Sequence, residues 1–191
     1  MGVVVVETFR EPDGALLVAT ARGGSGGGRS SPSPFAFERP AGGRFIASLR
    51  EGGGGNGNGD GDGNGDGDGE SCVVVVIADA SVHVRWIGAL EAIVFRHDAV
   101  LHRTVSRPPS IGAPAPSRDS AVDVAGPWPA EPGDLVLLCS ANVHRALSEA
   151  DVTALASRED LATIVRGVVT TTSTRGEFAE ICAVAIRIGG R

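Results

Sequence analysis

The hydrophobic and polar positions of this chain fall into short, mostly β-type runs broken by Gly- and Pro-rich segments. Residues 3–9 and 15–21 are two such runs around Arg10-Glu11-Pro12-Asp13-Gly14, a turn signal that predicts a hairpin. Residues 22–34 hold Gly, Ser, Pro and two arginines and read as loop. Arg44 to Arg50 predicts two helical turns, because Phe45 and Leu49 share a helical face. Residues 52–69 alternate Gly with Asn and Asp and offer no side chain to bury against a large backbone entropy, so disorder is expected there.

Beyond that tract the pattern changes. Cys72 to Ala78 is a continuous apolar run, and Val82, Val84 and Trp86 then alternate with His83 and Arg85. A further run covers Ala92 to Phe95, and His97-Asp98 turns the chain into Val100 to Thr104. Together these predict one antiparallel meander. Residues 106–120 are Pro- and Ser-rich loop, and Pro132-Gly133-Asp134 turns into a buried strand, Leu135–Cys139. Ser148 as N-cap with Asp151 at the third helical position resembles a capping box, opening a helix through Val152, Leu155 and Ala156. A second helix is predicted over Glu159 to Val168, followed by a polar link, Thr170 to Gly176, and a final strand, Ile181 to Ile188.

Composition narrows the functional classes. At 191 residues and 42% hydrophobic, the chain suits one folded domain over residues 1–191, with the Gly/Asn/Asp tract as an insert. A net charge of −6 gives no basic face to neutralise a phosphate backbone, so nucleic acid is not an expected partner. No apolar run reaches membrane-spanning length, which leaves no membrane partner and a soluble, intracellular protein as the expectation. Cys72, Cys139 and Cys182 lie far apart inside apolar runs and read as buried small hydrophobes. The tract at 52–69 lacks the apolar residue that calcium-binding glycine/aspartate repeats need in each turn, and reads as a linker.

Four segments carry a resemblance. Arg10-Glu11-Pro12-Asp13-Gly14-Ala15 looks like Arg-x-x-Glu-Asp-Ala, and Val18-Ala19-Thr20-Ala21-Arg22-Gly23-Gly24 is similar to Val-x-Asp-Gly-x-Gly-Gly. Val84 to Ala92 matches an apolar strand followed by Gly-Asp-Ser-Arg. Most specific is Gly133-Asp134-Leu135-Val136-Leu137-Leu138-Cys139-Ser140-Ala141-Asn142 with Leu147-Ser148-Glu149, similar to Gly-Asp-x-x-Leu-Leu-Cys-Ser-Asp-Gly followed by Leu-Ser and an acidic helix start. In this order they resemble the metal-dependent (type-2C) protein serine/threonine phosphatases, and Ala179-Glu180 falls where that family has Asp-Asn before its last strand. The resemblance implies a shortened α+β fold, a β-sandwich of two antiparallel sheets flanked by helices. It also implies a cleft in which two Mn²⁺ or Mg²⁺ ions activate water against a phosphoserine or phosphothreonine. The tract at 52–69 lies where the family carries helix.

Hard cations want carboxylate ligands, and paired cations need negative charge between them. At the family's aspartate positions this chain has Thr20, Ala141 and Ala179. The resemblance therefore implies a degenerate member with no catalytic residues and no expected cofactor, acting on a phosphoprotein or kinase by binding. The alternative is a residual Mn²⁺- or Mg²⁺-dependent phosphatase using Asp13 and Glu180, with Glu177, around one ion. Those carboxylates read more simply as solvated loop residues. Arg10 matches the family's phosphate-contacting arginine region and reads otherwise as a turn residue. Ser140 and His144, four apart beside Cys139, invite a hydrolase reading but lack a nucleophile-elbow pattern. His83, His97 and His102 are expected to face solvent, and Trp86 and Trp128 to pack.

Overall fold

A computed structural model describes residues 4–11, 14–23, 35–38, 45–51, 71–88, 90–104, 122–158, 160–176 and 181–190. Sheet A has the strand order β1 (Val4–Glu11), β2 (Gly14–Gly23), β11 (Ile181–Gly190), β10 (Leu135–Cys139), β7 (Glu91–Arg96), β8 (Ala99–Arg103). Sheet B has the order β3 (Phe35–Glu38), β4 (Phe45–Glu51), β5 (Ser71–Ala78), β6 (Ser81–Ile87), β9 (Asp123–Pro129). Every pairing is antiparallel. Three helices, α1 (Ala141–Ala146), α2 (Glu149–Ala156) and α3 (Leu161–Arg175), complete the described elements.

Two apolar layers explain the patterning. In β10 every residue is buried: Leu135, Leu137 and Cys139 pack with the helices, Val136 and Leu138 with sheet B. A strand covered on both faces reads as an unbroken apolar run. In β11, Ile181, Ala183 and Ala185 likewise join the helix layer, while Cys182, Val184 and Ile186 join the inter-sheet layer. Sheet B alternates instead: Val73, Val75 and Ile77 point inward, Val74 and Val76 are half-buried. All helix residues in the core clusters pack on sheet A.

Several expectations change. The helix over Arg44 to Arg50 is strand β4, in which Phe45, Ala47 and Leu49 are buried at the strand period of two and pair with Ile77, Val75 and Val73. The expected single meander is two hairpins in different sheets: β5 pairs β6 in sheet B, and β7 pairs β8 in sheet A. The chain passes between sheets at Gly88, whose φ of +81° and approach to Ser71 leave no room for a side chain; an added Cβ would lie 2.2 Å from Ser71 Oγ. The expected polar link at Thr170 to Gly176 is instead helix through Arg175, with Thr172 buried on the face that also carries Val165, Val168 and Val169. α2 starts as expected, with a capping box between Ser148 and Asp151. Helix α1 and strands β3 and β9 are additions to the sequence reading. The tract at 52–69 and the loop at 106–120 lie outside the described residues.

Candidate functional site: the carboxyl end of the central strands

The resemblance points to the ends of β2 and β10, which the sheet register relates directly. Thr20 lies beside Val184, Val184 beside Leu138, and Leu138 beside Ala92. These three neighbours belong to the layer between the sheets, as does Val18 two residues before Thr20, so Thr20 faces the inter-sheet space. Thr20 is 6% exposed. Ala141 is half-buried at the first position of α1, three residues beyond Leu138. Thr20 and Ala141 thus share one end of sheet A, separated by a three-residue offset in register. Arg10 is in β1 opposite Ala15, and its side chain lies outside the described residues, as do Asp13, Glu177, Ala179 and Glu180.

Of the positions the resemblance marks, only Thr20 and Ala141 lie among the residues whose side chains are described, and neither offers an anionic oxygen. The row at Thr20 supplies one neutral hydroxyl among three aliphatic side chains, and Ala141 supplies a methyl group, where hard divalent cations need oxygen anions. Among the described residues, no group of three or more His, Cys, Asp or Glu side chains could hold a metal ion.

On the helix side of the same strand end, Ser140 N-caps α1 without a side-chain cap bond. Its backbone N–H donates to the Cys182 carbonyl at 3.0 Å, and its Oγ accepts from the Cys182 N–H at 3.2 Å. Ser140 is fully buried, and this hydroxyl ties the end of β10 to β11. Burial pushes the Cys139 thiol well above its ordinary range, and the Glu91 carboxylate adds to the effect, so thiolate chemistry is suppressed. His144 does not meet Ser140; its Nδ1 lies 2.9 Å from Arg103 Nη2 and 3.6 Å from Glu91 Oε2.

A buried ion pair that the sequence pattern does not foretell lies at the same strand end. Glu91, 5% exposed at the start of β7, accepts from Arg103 Nε at 2.5 Å and Nη2 at 3.2 Å. Arg103 also reaches Glu149 at the start of α2. Hydrogen bonding to Glu91 leads the causes that raise the Arg103 guanidinium above its ordinary range. A forked, nearly dry pair of this kind ties β7, β8, α1 and α2 together. Its signal was a lone acid, Glu91, between Leu90 and Ala92. The remaining histidines divide: His97 is exposed, His83 meets Ser81 Oγ at 3.0 Å, and His102 stacks on Trp128 instead of facing solvent. Trp86 is buried in the inter-sheet layer and Trp128 packs against it, as expected. Cys139 and Cys182 are buried, and Cys72 is half-buried.

Comparison with protein-family profiles gives no match, and comparison with curated proteins gives none either. Solved structures do match across nearly the whole chain. The S. agalactiae serine/threonine phosphatase aligns with 98% of this chain and 100% of its own at a TM-score of 0.62 and 14% identity. PppA, a key regulatory component of T6SS in Pseudomonas aeruginosa, aligns with 97% of each chain at 0.61 and 14% identity. The catalytic domain of the serine/threonine protein phosphatase PstP, in complex with two manganese ions, aligns with 92% of this chain and 100% of its own at 0.58 and 12% identity. The fold is therefore that of the type-2C serine/threonine phosphatases. No described helix is long and apolar enough to cross a membrane.

Proposed function

We propose that this chain is a pseudophosphatase: a type-2C phosphatase fold that acts as a binding or regulatory module and does not assemble a two-cation centre. The observation that carries the reading is the row Thr20–Val184–Leu138–Ala92, which offers one neutral hydroxyl among aliphatic side chains where the resemblance calls for a carboxylate. Without anionic ligands, no activated water is generated at that position. The intended ligand is a phosphoprotein or a kinase, the class that active relatives meet. That PppA is a key regulatory component of T6SS lends support to the regulatory part of this reading.

Calorimetric titration of the full chain with Mn²⁺ or Mg²⁺, alongside phosphate release from a phosphopeptide, tests it. Neither stoichiometric binding nor metal-dependent release is expected. Stoichiometric binding with release that disappears in Asp13→Ala or Glu180→Ala overturns the proposal in favour of a residual phosphatase built on one ion. Restoring aspartate at Thr20, Ala141 and Ala179 together tests the alignment; recovered Mn²⁺ affinity is expected, and indifference to metal counts against it.

A further inference from the structure

The opposite end of sheet A, remote from Ser140 and Ala141, holds a cavity of about 300 Å³. Its walls are the β7–β8 turn, the turn before β10, the end of α2 and the last part of β11. The acidic side is already satisfied. Asp134, 1% exposed, accepts from Arg96 Nε at 2.9 Å, Arg96 Nη2 at 2.8 Å and the Glu131 N–H at 2.8 Å. Glu131 takes the remaining arm of Arg96 at 2.6 Å.

The facing wall is different. Arg158 and Arg187 both line the cavity, and neither has a carboxylate within ion-pair distance among the described residues. Arg187 Nη2 donates to the Arg158 carbonyl at 3.2 Å. Arg187 Nε is shielded from solvent and has no acceptor. A donor that solvent cannot reach is closed to a ligand as well, so what the cavity offers an anion is the rest of the Arg187 guanidinium together with Arg158. The one other acid on the lining, Asp98, is exposed in the β7–β8 turn, where solvent screens it.

The frame around the cavity is fixed. The Gly133 N–H donates to the Ile188 carbonyl at 2.7 Å, and the Ile188 N–H to the Asp134 carbonyl at 2.9 Å. Gly189, at φ +62°, packs so closely that an added Cβ would lie 3.0 Å from Pro132 Cβ. A guanidinium is a planar fork of N–H donors whose geometry suits a carboxylate or phosphate. The volume is at the lower end of small-molecule sites.

We propose that this cavity binds a small molecule through its oxyanion group, a phosphate or a carboxylate, with Arg187 and Arg158 as the recognising residues. The site does not depend on the pseudophosphatase reading, because it shares no residue with the Thr20 row. Calorimetric titration of the full chain with inorganic phosphate and, separately, with succinate at matched ionic strength tests it. Saturable one-to-one binding of at least one probe is expected, weakened about tenfold or more by Arg187→Gln and by Arg158→Gln. Preference for phosphate identifies a phosphoryl ligand, and preference for succinate a carboxylate. Arg158 is exposed, so its variant keeps the test decisive even if Arg187→Gln fails to fold. Absence of saturable binding by both probes, or binding indifferent to Arg158→Gln, overturns the proposal.

Discussion

Replacing Thr20 by aspartate places there the carboxylate that the resemblance calls for, and the structure sets the consequence. Thr20 is 6% exposed, and Val18, Val184 and Leu138 around it are at 1%, 0% and 0%. An aspartate there is desolvated, which raises its pKa above the unfolded value of about 3.9. A rise of two to three units at about 1.36 kcal/mol each makes the ionised form roughly 3–4 kcal/mol less favourable in the folded chain. The sign follows from proton linkage. Above about pH 4 the unfolded variant releases its proton first, so folding stability falls with rising pH until the folded carboxyl ionises as well. Urea unfolding followed by tryptophan fluorescence, at pH 4 to 8 in metal-free buffer, reads this directly. Thr20→Asp is expected to approach the wild type near pH 4 and to lose about 3–4 kcal/mol relative to it by pH 8. Thr20→Val, with no charge to bury, should add no such slope. A Thr20→Asp chain whose stability tracks the wild type across the whole range would show that the row is wet, and would remove the main support for the proposed pseudophosphatase.

Three further outcomes are expected. Leu137→Ala empties a fully buried position between β10 and the helices and should cost about 3 kcal/mol, measured as a lower urea midpoint at unchanged slope. Arg103→Ala leaves Glu91 buried without its counterion and should cost about 3 kcal/mol, largely recovered when Glu91→Leu is added; equal losses in single and double variants would contradict the pairing. Asp151 is held well below the ordinary carboxylate range, first by Arg175 and then by Ser148. Its contribution is therefore present above about pH 4 and lost on acidification below it, so Asp151→Asn should blunt the acid limb of the stability profile.

Much of the fold was legible because local patterning and final burial agree. The apolar run Leu135–Cys139 is buried on both faces, and the Ser148–Asp151 cap stands where the sequence placed it. Failures came where distant partners decided. Phe45 to Glu51 satisfies both periods in so short a span, and pairing with β5 selected the strand. The threonines at 170–172 look polar, yet Thr172 continues the buried stripe of α3 and Arg175 is anchored by Asp151 at 2.6 Å. Strand β9 carries Pro127 and Pro129, which a central strand would not tolerate; at the edge of sheet B their missing N–H groups do no harm. At the candidate site, the sequence singled out Thr20, Ala141 and Ala179 through a resemblance but carried no information about Arg103 reaching Glu91, a contact made only when β8 folds back on β7. Arg187 beside Arg158 is likewise a product of tertiary structure, since 28 intervening residues separate them in the chain.

His102 belongs to β8 at the edge of sheet A, and Trp128 to β9 at the edge of sheet B; their rings stack 4.5 Å apart at 8°. The two layers of the sandwich therefore touch through an indole and an imidazole. The chain's other indole, Trp86, is only 8% exposed. The emission of an indole depends on what packs against its ring, so the separation of the two sheets becomes an optical quantity. The fluorescence of Trp128 reports whether the sandwich is closed along that edge, without a label and during any binding experiment.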